Sequence, residues 1–417
     1  MKKIITVLIV LSIFLEDCFS QSQRDLYNNS IKAYEAKNYS EFLQLTKQLD
    51  SIRPMHPTFT YNLAIAYALQ QQTDKAVLQL KKVILMNAKT SFEDDADFQS
   101  IKETEAFKSL SAFKQKQLDV VATSQKAITL SEKALHPESV LYLSKTKTWL
   151  ASSIRKRKIV SFDEKTGKCS DWLTAENILA VFALKPDAKE EFLWVATSAI
   201  PEMENYSEIV KGKAEILKVN IKTKKIVNRY SLEGNHVFGD IYVTKNNKVF
   251  ISDSDKPIIY TIENDALAVW LSLENTAFNL QGITMNTEED KLFVADYLKG
   301  IAVVKTADKE VNWLHFPKDA TSKGIDGLVY YKNSLFAVQN GVSPIRITQL
   351  KLNSSHTEIT DFKVVDNNRP EFDEPALLTL VKDKLYFFAN SPWKAYDKNG
   401  VLDESKVTNP ELYFLKL

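Results

Sequence analysis

The chain has 417 residues, enough for two domains, and its 44% hydrophobic content can furnish real cores. With 54 basic and 53 acidic residues its formal net charge is +1, so no global field argues for nucleic acid or an anionic membrane surface as a partner. It has 2 cysteines, Cys18 and Cys169, and the first falls in a leader, so the mature chain relies on packing and not on an internal disulfide.

Residues 1–20 read as a secretory signal. Lys2 and Lys3 are the positive end, Ile4 to Leu15 is an apolar run too short to span a bilayer, and Cys18-Phe19-Ser20 precedes cleavage before Gln21. Glu16 and Asp17 sit where a lipobox wants small or aliphatic residues, which favours plain export over a lipid anchor. No later stretch is long and apolar enough for a transmembrane segment. The expected destination is secreted or periplasmic.

Residues 21–117 carry a helical pattern. Tyr61-Asn62-Leu63-Ala64-Ile65-Ala66-Tyr67 and then Ala76-Val77-Leu78-Gln79-Leu80 place small and large apolar residues at helical spacing on two segments. The stretch from Ala33-Tyr34 to Glu41-Phe42 matches the one from Ala66-Tyr67 to Lys75-Ala76, and the unit resembles a tetratricopeptide repeat. Asp97-Phe98 and Phe107 to Leu110 suggest a further short segment that caps the pair. Such a domain is either a structural stalk or a surface that docks a protein partner.

The pattern turns to period two near Val120, and 120–417 reads as one all-β domain. A polar turn, an apolar strand, a charged hairpin and a second strand recur six times. The copies open at Glu138, Ala180, Gly239, Gln281, Asp326 and Glu374, which by position are 42, 59, 42, 45 and 48 residues apart. A period of roughly 40–50 residues with several short strands per unit marks propeller blades, so the expected fold is a six-bladed β-propeller behind an N-terminal α-helical domain. Leu412-Tyr413-Phe414-Leu415 has no later partner and should close the ring on Ile128-Thr129-Leu130. The longest step contains Ala199-Ile200-Pro201-Glu202-Met203-Glu204, either a lid over one face or a solvated hairpin.

In a propeller the start of each innermost strand faces the central channel. Those places offer Glu138, Gly239-Asp240, Gln281, Asp326 and Glu374, with Asn279 and Asp373 adjacent. Converging carboxylates repel unless a cation or a proton compensates, and oxygen-only donors suit a divalent cation such as calcium, with magnesium or manganese as alternatives to it, rather than zinc. The plainer reading is that they are ordinary strand-entry turn residues. His136 and His236 stand just before inner strands and could reach the channel mouth or simply cap it. Arg155, in the run Arg155-Lys156-Arg157-Lys158, could meet an anionic ligand or sit on an exposed hairpin. No phosphate-cradling glycine loop, nucleophile elbow or metalloprotease helix is present.

From about Leu135 to Leu417 the chain resembles the gluconolactonase and senescence-marker-protein group, which includes the luciferin-regenerating enzymes. In that family a Glu opening the first blade, an Asn in an Asn-Gly turn and an Asp in an Asp-Gly turn bind a divalent cation that polarises a lactone. Glu138 and Asp326 match two of these places, whereas Gln281-Gly282 stands for the Asn-Gly turn and Gly239-Asp240 for a substrate-contacting Asn-Asp position. The resemblance implies an exported metal-dependent hydrolase of a small lactone or ester. Glu138, Gln281 and Asp326 would be metal ligands, Asp240 or Glu374 the catalytic base, and His136, His236, Asn279 and Arg155 would contact substrate. The other reading is a non-catalytic propeller that binds a small molecule or a protein, with the helices recruiting a partner.

Overall fold

A computed structural model describes residues 22–417. The signal reading, Cys18 included, lies outside the described residues. By contacts the chain falls into two compact units, one spanning 22–83 with Ser91–Leu110 and the other Ile84–Thr90 with Ser111–Leu417. No helix among the described residues is long and apolar enough to cross a membrane.

The helical region contains α1 (Gln23–Glu35), α2 (Tyr39–Ile52), α3 (Pro57–Leu69), α4 (Thr73–Met86) and α5 (Glu105–Leu118). Starts are set by local chemistry. Ser22 Oγ accepts the Asp25 N–H at the head of α1, Asn38 does the same for Glu41 before α2, and His56 caps α3, whose first residue is Pro57. Ala64, Ala66 and Ala68 on α3 are fully buried, so neighbouring helices approach closely there. The expected capping segment exists as the short turn Ala96–Phe98 and the start of α5, with Phe98, Phe107 and Leu110 buried. Tyr34 and Tyr61 anchor that turn by donating to Asp97 and Asp95 at 2.7 and 2.6 Å.

The second unit is a six-bladed β-propeller. Blade one is Val140–Leu143, Thr148–Ser153, Lys158–Phe162 and Cys169–Leu173. Blade two starts its inner strand at Ala180–Pro186, blade three at Phe238–Val243, blade four at Leu280–Met285, blade five at Ile325–Tyr331 and blade six at Thr379–Val381. Every blade is antiparallel from inner to outer strand. The outer strand of blade six is Gln125–Thr129, paired with Glu411–Lys416 in the register Lys126↔Tyr413 and Ile128↔Leu412. The N-terminal end of the domain thus closes the ring on its C-terminal strand, as the unpartnered last strand implied, and an edge open to aggregation is removed.

Both faces of each blade are buried, which is why the strands read as nearly continuous apolar runs. In Leu193-Trp194-Val195-Ala196, Leu193 and Val195 pack toward blade one while Trp194 and Ala196 pack toward blade three. The same division repeats around the ring, ending where Phe388 and Leu412 of blade six meet Val140 and Trp149 of blade one. Polar residues ending the second strands tie the corners. Asp253 Oδ1 accepts the Val237 and Asp255 N–H groups, Asp296 accepts those of Asn279 and Leu298, and Ser198 Oγ accepts that of Phe238. Cys169 is a half-buried free thiol in the outer strand of blade one.

Candidate functional site

The segments opening all six blades, with Phe182 from blade two, meet at one cavity of about 260 Å³. Glu138 enters from blade one, Gly239 from blade three, Gln281 from four, Asp326 from five and Glu374 from six, while Phe182, Tyr297 and Trp393 supply aromatic wall. Local backbone geometry aims them. The pairing of inner and second strands slips between Phe238 and Asp240, between Leu280 and Ile283, and between Ile325 and Leu328. Such a bulge frees residues from the ladder and redirects a side chain. Those freed are Gly239, Gln281-Gly282 and Asp326-Gly327.

The glycine after each polar residue is required by close approach. A Cβ on Gly282 would stand 2.4 Å from the Asp326 carbonyl oxygen, and one on Gly327 would stand 2.6 Å from that of Ala376. Consecutive inner strands touch backbone to backbone there. Asp240 occupies the matching place in blade three. Its Oδ2 accepts the Ile283 N–H at 3.1 Å and its Oδ1 the Ile241 N–H at 2.8 Å, with Lys185 Nζ 3.8 Å from Oδ1. It clamps blade three to blade four from behind the cavity wall, and burial pushes its carboxyl upward.

Two of the three acidic groups in the cavity are held by a specific donor. Glu138, fully buried, accepts the Trp393 indole N–H at 2.6 Å, and Asp326 accepts the Asn340 amide at 2.6 Å. Asn340 in turn accepts the Tyr297 hydroxyl at 3.1 Å. Burial first, then the charge of Asp326, raises Glu138 well above the ordinary carboxylate range. Burial carries Asp326 to about 6, against the opposing Asn340 bond, with the Asp240 charge adding to the rise. Burial and the Asp326 charge carry Glu374 to about 7. Asp326 and Glu374 therefore exchange protons near neutrality, where an acid–base group works best.

Other expected site residues stand one layer back. Asn279 accepts the Gln281 Nε2 amide at 2.6 Å and donates to the Ser254 carbonyl, which leaves Gln281 Oε1 as the amide atom open to a ligand. His136 is buried behind Glu138, with Nδ1 2.9 Å from the Tyr396 hydroxyl and Nε2 4.0 Å from Glu138 Oε1. Burial and nearby Arg155 hold it near 3, so its imidazole is neutral at ordinary pH. Arg155 lies 3.6 Å from Glu204 on the inserted loop. His236 is placed elsewhere, between Asp253 Oδ2 at 2.7 Å and the Glu233 carbonyl at 3.1 Å, as part of a blade corner.

The insertion within blade two, between its second strand Phe192–Ser198 and its third strand Ala214–Asn220, is packed rather than solvated at its start. Ala199 and Met203 are buried with Leu179, Phe182 and Trp393, two of which line the cavity. Trp393 had no signal in the sequence. It comes from a loop of blade six whose place over blade one depends on the finished ring. Tyr297 and Asn340 each directly follow a second strand, Lys291–Asp296 and Ser334–Gln339.

A divalent cation fits the donor chemistry in part. Glu138, Asp326 and Gln281 Oε1 are hard oxygen donors around one cavity. Among the described residues, however, no three His, Cys, Asp or Glu side chains form a group that could hold a metal ion. A cation here would need amide or water oxygen beside two carboxylates.

No family model matches the chain, and no curated protein matches it. Among solved structures it is similar to virginiamycin B lyase from Staphylococcus aureus, at 13% identity and a TM-score of 0.48, over 70% of this chain and 99% of that one. It is also similar to the PQQ-bound aldose sugar dehydrogenase of Streptomyces coelicolor, at 12% identity and 0.47, over 70% and 99%. A gluconolactonase from Xanthomonas campestris is similar at 13% identity and 0.46, over 72% and 91%. At such values the likenesses carry no activity across.

Proposed function

We propose that the acidic end of the channel is the site of an exported hydrolase acting on a small, uncharged lactone or ester. The observation that supports it is the convergence of Glu138, Asp326 and Glu374, from three different blades, on one cavity with an aromatic wall. An anionic substrate would be repelled by these groups, whereas an uncharged one can exchange hydrogen bonds with them. Phe182, Tyr297 and Trp393 give an apolar face to a ring or chain and exclude water from it.

Glu374 takes the role of base in this reading. Its carboxyl, near 7, can accept a proton from an attacking water and return it to the departing oxygen. Trp393 and Asn340 fix the carboxylates of Glu138 and Asp326, and Asn279 fixes Gln281. Those three residues would hold a divalent cation, which when bound supplies Lewis acidity toward a carbonyl. Asp240, tied to backbone amides, acts on the site only through its charge.

The test is hydrolysis of a panel of lactones and esters by the purified mature protein, with calcium, magnesium or manganese and with chelator. Turnover lost in Glu374→Gln, and cation binding lost in Glu138→Gln with Asp326→Asn, would support the reading. Cation binding without turnover on any member of the panel would instead favour the binding propeller, for which the aromatic wall also speaks, with the helices as the surface for a protein partner.

A further inference from the structure

The same inner strands that open at the acidic cavity end at a second one. At the far end of the channel lies a funnel of about 500 Å³ lined by every blade. Much of its wall is aliphatic, made of residues such as Leu141, Val243, Met285, Leu328 and Leu380, with charged side chains among them. The volume falls within the range of small-molecule sites, roughly 300–1,000 Å³. The two ends are kept apart by the layer in which Asp240 accepts the Ile283 N–H.

One group in the funnel has unused hydrogen-bonding capacity. Lys185 comes from the inner strand of blade two and is partly buried, and its ammonium makes no hydrogen bond among the described residues. Its nearest anion is Asp240, 3.8 Å away and already accepting two backbone amides. Three acids also line the wall, but each is committed to a rim turn. Asp187 accepts the Glu191 and Phe192 N–H groups, Glu190 those of Ser144 and Lys145, and Glu289 that of Lys245 and the Tyr242 hydroxyl. Lys245 spends its ammonium on the Thr287 carbonyl. Backbone amides offset the rim carboxylates, whereas the Lys185 ammonium keeps its donors for something else.

We propose that this funnel binds a free carboxylate with an apolar tail, its head on Lys185 and its tail against the aliphatic wall. The site is distinct from the acidic cavity, and its occupancy does not depend on what that cavity turns over.

Calorimetric titration of the full chain with hexanoate, heptanoate and octanoate tests it. Saturable one-to-one binding is expected, tightening roughly fourfold for each added methylene. Octanoate should bind more tightly than octylamine or octanol. Lys185→Met should weaken octanoate by about tenfold while octanol is unchanged. Non-saturable octanoate binding, an amine that binds as well, or an octanoate affinity indifferent to Lys185→Met would overturn the proposal. Leu380→Trp, which fills the half-buried rim, gives a second check: octanoate and octanol should both be lost, and retention of either would overturn it as well.

Discussion

Trp393 Nε1 donates to Glu138 Oε1 at 2.6 Å, joining a loop of the last blade to the opening residue of the first. The bond lies at the seam where the ring closes and at the acidic cavity, so fold and site share it. Trp393→Phe should keep most of the packing with Phe182 and Met203 but strand a buried carboxyl. The expected cost is about 1–3 kcal/mol, read from urea unfolding. Under the metal reading, cation affinity should also change in this variant. A variant equal to wild type in both would mean the bond does nothing for either.

Stability should depend on pH in a direction set by the same carboxyls. Glu374 is raised from 4.5 to about 7 and Asp326 from 3.8 to about 6, so the folded chain binds protons that the unfolded chain releases. Their contribution is present in full below the unfolded values and is lost as pH rises through 6 and 7. His136 acts oppositely: lowered from 6.5 to about 3, it contributes above 6.5 and loses that as pH falls. The two trends overlap in mild acid and separate above neutrality. In chelator, the melting temperature should therefore fall between pH 6 and pH 8, and fall less in Glu374→Gln. If a dication occupies the site, adding it should rescue pH 8 more than pH 5. A flat profile that Glu374→Gln leaves unaltered would refute the carboxyl assignment.

Two of the site glycines, Gly282 and Gly239, should separate fold from function. Gly282→Ala places a methyl 2.4 Å from one backbone oxygen and 2.6 Å from the Leu328 nitrogen, so inner strands four and five must part. A loss of about 1–3 kcal/mol or more is expected. At Gly239 the nearest atoms are the ends of side chains, Ser254 Oγ at 3.0 Å and Gln281 Oε1 at 3.5 Å. Gly239→Ala should melt near wild type yet impair ligand or cation binding, because its methyl enters the cavity beside the open amide oxygen. Equal stability of the two variants would contradict the backbone contact.

The legible parts of this molecule are those governed by local pattern. Strands buried on both faces leave apolar runs such as Val181 to Leu184, and a closed ring leaves one strand in need of a distant partner, so blade number and the closure of the last strand on the segment around Ile128 could be read from the residues, though not its register. Gln281-Gly282 and Asp326-Gly327 carried a signal because the glycine is forced by backbone contact. Asp240 falls one position later, on the strand-facing rather than the cavity-facing side, and a single-residue shift reverses which way a side chain points. His136 and His236 stand at similar places before their strands, yet one lies behind Glu138 and the other joins Asp253; only the partner distinguishes them, and the partner is set by tertiary structure. Trp393 was illegible for the same reason.

Ring closure gives the sharpest test of the fold. Gln125–Thr129 is the outer strand of blade six, and beyond it the Leu130 N–H donates to the Pro410 carbonyl while Asn409 donates to the Leu130 carbonyl. A chain beginning at Ser111 keeps this strand, and one beginning at Ser131 lacks it. The shorter chain exposes the unpaired edge of Glu411–Lys416, with the buried Leu412 and Leu415 beside it. An open edge of that kind pairs with other chains, so the shorter protein should aggregate on refolding and lose its cooperative melt. Adding a synthetic peptide spanning 123–131 should restore the melt if strand pairing is what is missing. Identical melting of the two chains would show that the first and sixth blades hold together without the strand, through Phe388 and Leu412 against Val140 and Trp149 alone.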